Sequence, residues 1–327
     1  MEKARFKWVL RERNRKIAAK TEVFTEQQAR RVRSFHSSFK EYSTTPLIEL
    51  TSLAQHLGIK NLFVKDESYR FELNAFKVLG GSFAIGSYIA NELGEDIDDL
   101  PYMRLVSDEV RSLLGSKTFI TTTDGNHGRG VAWTANRLKQ QAIVYMPQGS
   151  AAERLANIRA EGAQAEITDM NYDDTVRYTS ELAQKNGWII VQDTAWDGYT
   201  RIPLWIMQGY MTMALEAYEQ LPVKPTHIFL QAGVGSLAGS VQGFFADIYG
   251  SSCPLTFIVE PKGADCLYQT AAANDGSLHS VTGRLETIMA GLACGEPNSI
   301  AWEIIGNLSD GFSSCPYYTA AQVMRIL

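Results

Sequence analysis

Three glycine-marked stretches hold residue types that could do chemistry. The first is Asn74-Ala75-Phe76-Lys77-Val78-Leu79-Gly80-Gly81. Asn74 is a good N-cap, which predicts Lys77 in the first turn of a helix, at its third position. The positive helix end and partial burial by Phe76 and Leu79 both disfavour an ammonium. That predicts a lysine with a lowered pKa, suited to imine formation or general-base work. Taken alone, the motif leaves an ordinary solvated lysine open. The second stretch is Thr121-Thr122-Thr123-Asp124-Gly125-Asn126-His127-Gly128-Arg129-Gly130, after a strand and opening a helix. Its glycines let a ligand approach the backbone, Asp124 offers a carboxylate, and Asn126 can donate and accept hydrogen bonds. A strand–helix turn with polar caps is the alternative for Asp124 and Asn126, and His127 reads as a spacer packed beside the turn.

The third stretch is Gln231-Ala232-Gly233-Val234-Gly235-Ser236-Leu237-Ala238-Gly239, again between a strand and a helix. Free amides of Gly233, Val234, Gly235, Ser236 and Leu237 would form an anion nest. Gly233-x-Gly235-x-x-Ala238 also satisfies the dinucleotide fingerprint, with Glu260 ending the next strand. The loop therefore reads as either a nicotinamide or a monophosphate site. It holds no lysine or arginine, so backbone amides would carry the anion. A further carboxylate, Asp193, follows the strand-like Ile189–Gln192.

The elements that position these groups alternate along the chain. β-rich runs occur at Leu62–Lys65, Thr118–Thr122, Ala142–Met146, Ala165–Thr168, Ile189–Gln192, His227–Gln231 and Leu255–Val259. Helical stretches include Thr25–Tyr42 with Thr25 as N-cap, Val131–Gln140, Ala151–Glu161, Tyr172–Asn186 and Ile206–Gln220. This rhythm predicts an α/β protein with mainly parallel sheets flanked by helices. Leu221–Pro225 reads as a domain crossing. Tyr172, Asp173 and Asp174 start a helix, and Trp196 is a pocket wall or core. The first twenty residues hold eight Lys or Arg against two Glu and read as a solvated arm or surface helix. The chain stops at Val323–Leu327, inside a helical pattern.

Composition narrows the class. A length of 327 residues suggests two domains, and 45% apolar with 20% charged residues excludes intrinsic disorder. No apolar run approaches the ~20 residues of a bilayer span. A net charge of −5 argues against nucleic acid as a partner. Cys253, Cys266, Cys294 and Cys315 show no zinc-ligand spacing, so no metal is expected. They read as structural thiols of a cytoplasmic protein, with a reactive role for Cys294 left open.

The lysine helix start, the Gly125-Asn126-His127-Gly128 turn and the glycine loop occur in the order typical of fold type II pyridoxal-phosphate (PLP) enzymes, which the chain resembles. Thr287-Ile288-Met289-Ala290-Gly291-Leu292-Ala293 is similar to a segment beside the cofactor ring in the dehydratases of that group. The closer resemblance is to the 2,3-diaminopropionate ammonia-lyases. It rests on Asn74–Gly81, Thr121–Trp133, Asp169–Asp174, Gln192–Trp196 and Gly291–Asn298, and covers about Thr25 to Leu327.

The resemblance implies that Lys77 holds PLP, Asn126 meets its ring hydroxyl and the Gly233–Gly239 loop binds its phosphate. It implies two open, twisted, mainly parallel sheets with the cofactor in an interdomain cleft. Residues 1–84 and 222–327 would form the larger domain and 85–221 the smaller, and a homodimer is expected. The family's serine or threonine on the pyridine nitrogen lies in a later glycine-containing stretch, which is not found before Leu327; the chain reads as ending some tens of residues early. Asp124, Asp193 and Lys77 together suit a substrate with two amino groups. Lys77 and Asp124 would take Cα protons from opposite faces. The implied reaction converts D- and L-diaminopropionate to aminoacrylate, then pyruvate and ammonia. The rivals are a serine or threonine dehydratase and, in another class, a dinucleotide-binding dehydrogenase or a noncatalytic ligand-binding protein.

Overall fold

A computed structural model describes residues 6–12, 21–123, 125–283, 285 and 287–327. Among them are ten strands: β1 (Lys7–Leu10), β2 (Leu47–Glu49), β3 (Phe63–Lys65), β4 (Thr118–Thr122), β5 (Gln141–Met146), β6 (Gln164–Ile167), β7 (Ile189–Ile190), β8 (His227–Gln231), β9 (Leu255–Pro261) and β10 (Gly311–Cys315). One sheet is all parallel in the order β6-β5-β4-β7. A second runs β1-β10-β9-β8, with β8, β9 and β10 parallel and β1 antiparallel at its edge. β2 and β3 form a separate antiparallel pair. Helices pack on both sheets, as parallel strands buried on both faces require. Two open, mainly parallel sheets match the expected class. No helix among the described residues is long and apolar enough to cross a membrane.

Several boundaries differ from the reading of the sequence. Lys7–Leu10 is an edge strand rather than an arm or helix, because its backbone pairs with β10 while Trp8 and Leu10 remain exposed. The rest of the basic segment, 1–5 and 13–20, lies outside the described residues. Thr25 is the N-cap as expected, its Oγ1 accepting from Gln28 N at 3.2 Å, but that helix ends at Ser37. The helix expected from Val131 starts five residues earlier, at Asn126, and the one expected from Ile206 starts at Arg201.

The helix Lys77–Leu93 sits at the centre and is buried on nearly every side. Two neighbouring helices reach its first turn backbone to backbone. A Cβ on Gly130 of the helix Asn126–Arg137 would lie 2.8 Å from Val78 Cα. One on Gly209 of the helix Arg201–Gln220 would lie 2.3 Å from Leu79 O. No larger residue fits either position without moving that turn.

Before it the chain bends through Phe71, Glu72 and Asn74, all with positive φ (50°, 60° and 58°). Such conformations in residues other than glycine persist only when their surroundings enforce them. Here a buried ionic network does so. Arg70, wholly buried, reaches Glu216 Oε2 at 2.7 Å, Glu67 Oε2 at 2.8 Å and Thr45 Oγ1 at 2.9 Å. Lys65 joins Glu216 Oε2 at 2.8 Å. Burial opposes the Glu216 charge, but Arg70 and Lys65 outweigh it and hold the carboxyl down at about 2. Removing one member of a buried pair strands the other's charge. Glu216→Ala is expected to lower unfolding free energy by about 3 kcal/mol in urea titration. A loss below about 1 kcal/mol, the scale of an exposed pair, would contradict this account.

Candidate active site

Lys77 is the first residue of its helix, and Phe76 precedes it without a side-chain cap. The expected N-cap at Asn74 is therefore corrected. An N-cap needs extended backbone, and the chain instead uses Asn74, a residue tolerant of positive φ, to turn. The expected lowering of the Lys77 pKa is also overturned. Burial does pull the ammonium down, but the charge of Asp193, with which Nζ forms an ion pair, outweighs burial and the net shift is upward. For Asp193 burial acts upward, and the Lys77 and His127 charges carry the carboxyl down to about 2.

One cavity gathers groups from three strand ends. Thr122 ends β4 and Thr123 follows it, with Asn126 and His127 opening the next helix; Asp193 follows β7, and residues 231–237 end and follow β8. Carboxyl ends of parallel strands are where open α/β sheets place ligands. Gly291, Leu292, Ala293 and Cys294 close the remaining wall. Lys77, Asp193, Asn126 and the whole Gly233–Leu237 loop are thus brought together. Asp124 lies outside the described residues.

The loop is shaped as a cradle. Gly235 has φ +101°, and a Cβ on Gly233 would lie 3.2 Å from Cys294 Sγ and 3.4 Å from Leu292 Cα. Ser236 begins the helix Ser236–Tyr249, whose first-turn amides have no intrahelical acceptor and present partial positive charge. Lys77 is the only lysine or arginine lining the cavity among the described residues. An amide cradle for a phosphate facing a lysine amine for an aldehyde fits the PLP that the resemblance implies. Glu260, the supposed ribose ligand of a dinucleotide site, is wholly buried and accepts from Leu267 N at 2.9 Å and Tyr268 N at 2.6 Å. It caps a helix and is committed elsewhere.

Hydrogen bonds lock the loop to the ion pair. Ser236 Oγ donates to the Asp193 carbonyl at 2.5 Å, and Asn298 Nδ2 donates to Ser236 Oγ at 2.8 Å. Asn298 N donates to the Val234 carbonyl at 2.8 Å, while its side chain caps the helix Ser299–Leu308. His127 is buried with Nε2 2.7 Å from the Val191 carbonyl, and burial lowers its pKa. It is a packed spacer, as expected.

Two residues were missed in the sequence. Tyr172, read there as a helix start, does open one but also lines the cavity, accepting from Gln192 Nε2 at 2.8 Å. Tyr210 is wholly buried, packs edge-on against Phe76 at 5.1 Å and adds its field to Lys77. Nothing local marks it, because it arrives from a helix more than a hundred residues away. All four cysteines are free thiols; Cys253, Cys266 and Cys315 are buried, and Cys294 stands half-buried at the cavity wall.

Comparison with known proteins agrees with this geometry. The family described as pyridoxal-phosphate dependent enzyme matches residues 39–327. Diaminopropionate ammonia-lyase of Salmonella typhimurium is 52% identical over 299 residues, 90% of this chain and 74% of that protein. The crystal structure of the holo diaminopropionate ammonia lyase of Escherichia coli superposes with a TM-score of 0.90 at 48% identity, covering 99% of this chain and 80% of that one. A structure of the same E. coli enzyme with an aminoacrylate–PLP azomethine reaction intermediate gives 0.88 at 47%, with coverage of 99% and 80%.

The ion pair makes a pH prediction. Losing the Asp193 charge removes the main force raising the Lys77 pKa, so Asp193→Asn should move it down. Only the neutral amine reacts with acylating reagents. In cofactor-free protein, labelling of Lys77 followed by mass spectrometry should begin at lower pH in Asp193→Asn than in wild type. An unchanged or higher onset would contradict the assigned cause.

Proposed function

We propose a function from one premise: the chain belongs to the pyridoxal-phosphate-dependent enzymes and, within them, to the diaminopropionate ammonia-lyases. It is a lyase that eliminates ammonia from D- and L-2,3-diaminopropionate, the product hydrolysing to pyruvate and a second ammonia. The observation that carries this reading is the Lys77–Asp193 pair facing the amide cradle of residues 233–237 across one cavity. PLP, when bound, supplies the electron sink that stabilises negative charge at the substrate Cα.

The chain's own residues do the rest. Lys77 Nζ would hold the cofactor covalently, and the amides of Gly233, Val234, Gly235, Ser236 and Leu237 would bind its phosphate. Asn126 would meet the ring hydroxyl. The Lys77 amine accepts the Cα proton on one face of the substrate. Asp193 makes that amine a stronger base and stabilises the ammonium formed, while a β-ammonium departs as ammonia with the proton it already carries. We assign the opposite face to Asp124, two residues before Asn126 in the sequence. Two carboxylates at the site favour a substrate carrying a second ammonium over one carrying a hydroxyl. The same reading divides the chain into 1–84 with 222–327 and 85–221, and takes it to be a homodimer.

Pyruvate release by the PLP-loaded protein tests the proposal. Wild type should release it from both enantiomers of diaminopropionate and far faster than from either serine. Lys77→Ala should lose about 10³-fold or more with both enantiomers. Asp124→Asn should lose far more with one enantiomer than with the other. Release from L-serine alone would replace the assignment with a dehydratase.

A further inference from the structure

Beside the cavity of Lys77 lies a second one, lined by Asp173, Arg177, Thr194, Trp196 and Glu296 and sharing Tyr172 and Val234 with the first. Its charge is unbalanced. Arg177 pairs with Asp174 at 2.7 Å and its charge also reaches Asp173 and Glu296, so three carboxylates stand against one guanidinium. Partial burial and the nearby Glu296 push the Asp173 carboxyl up to about 6, against the opposing pull of the Arg177 charge. Thr194 is 8% exposed, and its hydroxyl has no hydrogen-bond partner among the described residues. The hydroxyl therefore stays available to a group that enters the cavity. Trp196, stacked at 4.3 Å on Tyr199, adds an aromatic wall of the kind that attracts ammonium groups.

We propose that this second cavity binds the ammonium group of the cationic substrate before it reaches Lys77, with Asp173 and Glu296 as counter-charges and the Thr194 hydroxyl as acceptor. The proposal rests on the lyase reading above and adds to it a source of selectivity. Diaminopropionate with both amines protonated carries one net positive charge, whereas serine carries none. An acidic antechamber concentrates the first and is indifferent to the second. Tyr172 and Val234 line both cavities, so the second adjoins the reacting one.

The test compares wild-type holoenzyme with Asp173→Asn, Glu296→Gln and the double variant. The KM for L-diaminopropionate should rise about tenfold in the double variant while kcat stays within about twofold. The inhibition constant of L-serine should stay unchanged. A second arm needs no turnover: ammonium chloride, against sodium chloride at equal ionic strength, should change tryptophan fluorescence in wild type and not in the double variant. Equal effects on diaminopropionate and serine, no effect on either, or an ammonium response surviving in the double variant would overturn the proposal. Should the ammonium response vanish while the diaminopropionate KM stays put, the cavity serves departing ammonium and substrate recruitment is refuted. If wild type fails to act on diaminopropionate, that failure belongs to the function reading, and the fluorescence arm still decides the cavity.

Discussion

An ammonium held at the positive end of a helix and away from water is unstable unless a negative charge is fixed beside it. Lys77 is in that position, and Asp193 is the fixed charge. The two residues lie 116 positions apart, so the pair forms only when the sheet of β4 to β7 is registered against the central helix. Much of the surrounding structure is explained by that requirement. Gly130 and Gly209 bring two helices into backbone contact with the first turn after Lys77. The Arg70–Glu216 network enforces the left-handed bend that delivers the chain to that turn. On the other side, Ser236 holds the Asp193 carbonyl and is itself held by Asn298, so the glycine loop of the second sheet cannot shift without moving the counter-charge.

The pair also sets the chemistry. An isolated buried lysine would be neutral near pH 7 and a weak base. Asp193 reverses this, giving an amine that holds its proton firmly and takes one readily when free. Across the cavity the amide cradle attracts an anion without any lysine or arginine of its own. A cofactor carrying a phosphate at one end and an aldehyde at the other is matched by these two features, whereas a dinucleotide is not, because Glu260 is spent on the amides of Leu267 and Tyr268.

Much of this was legible in the sequence. The Gly233–Leu237 loop, the turn at Asn126 and the parallel strands announce themselves because their signals are local: a glycine pattern, a cap, a short β-branched run. What escaped depends on residues distant in sequence. The Lys77 pKa was read from its helix and its neighbours Phe76 and Leu79, which do lower it, but the deciding charge arrives from Asp193. Asn74 was read as a cap because caps and left-handed turns favour the same residue types. The strands β1, β2 and β10 were missed for a related reason. β1 is an exposed edge, β2 has three residues, and β10 reads Gly-Phe-Ser-Ser-Cys, in which pairing with β9 overrides weak propensity.

The central claim is that Lys77, set by Asp193, holds the cofactor. Its most direct measurement is reduction of the PLP-loaded protein with borohydride, followed by proteolysis and mass spectrometry to locate the phosphopyridoxyl group. The account predicts a single stoichiometric label on the peptide containing Lys77. A label on another lysine, or no stable label while the protein still turns over diaminopropionate, would contradict it.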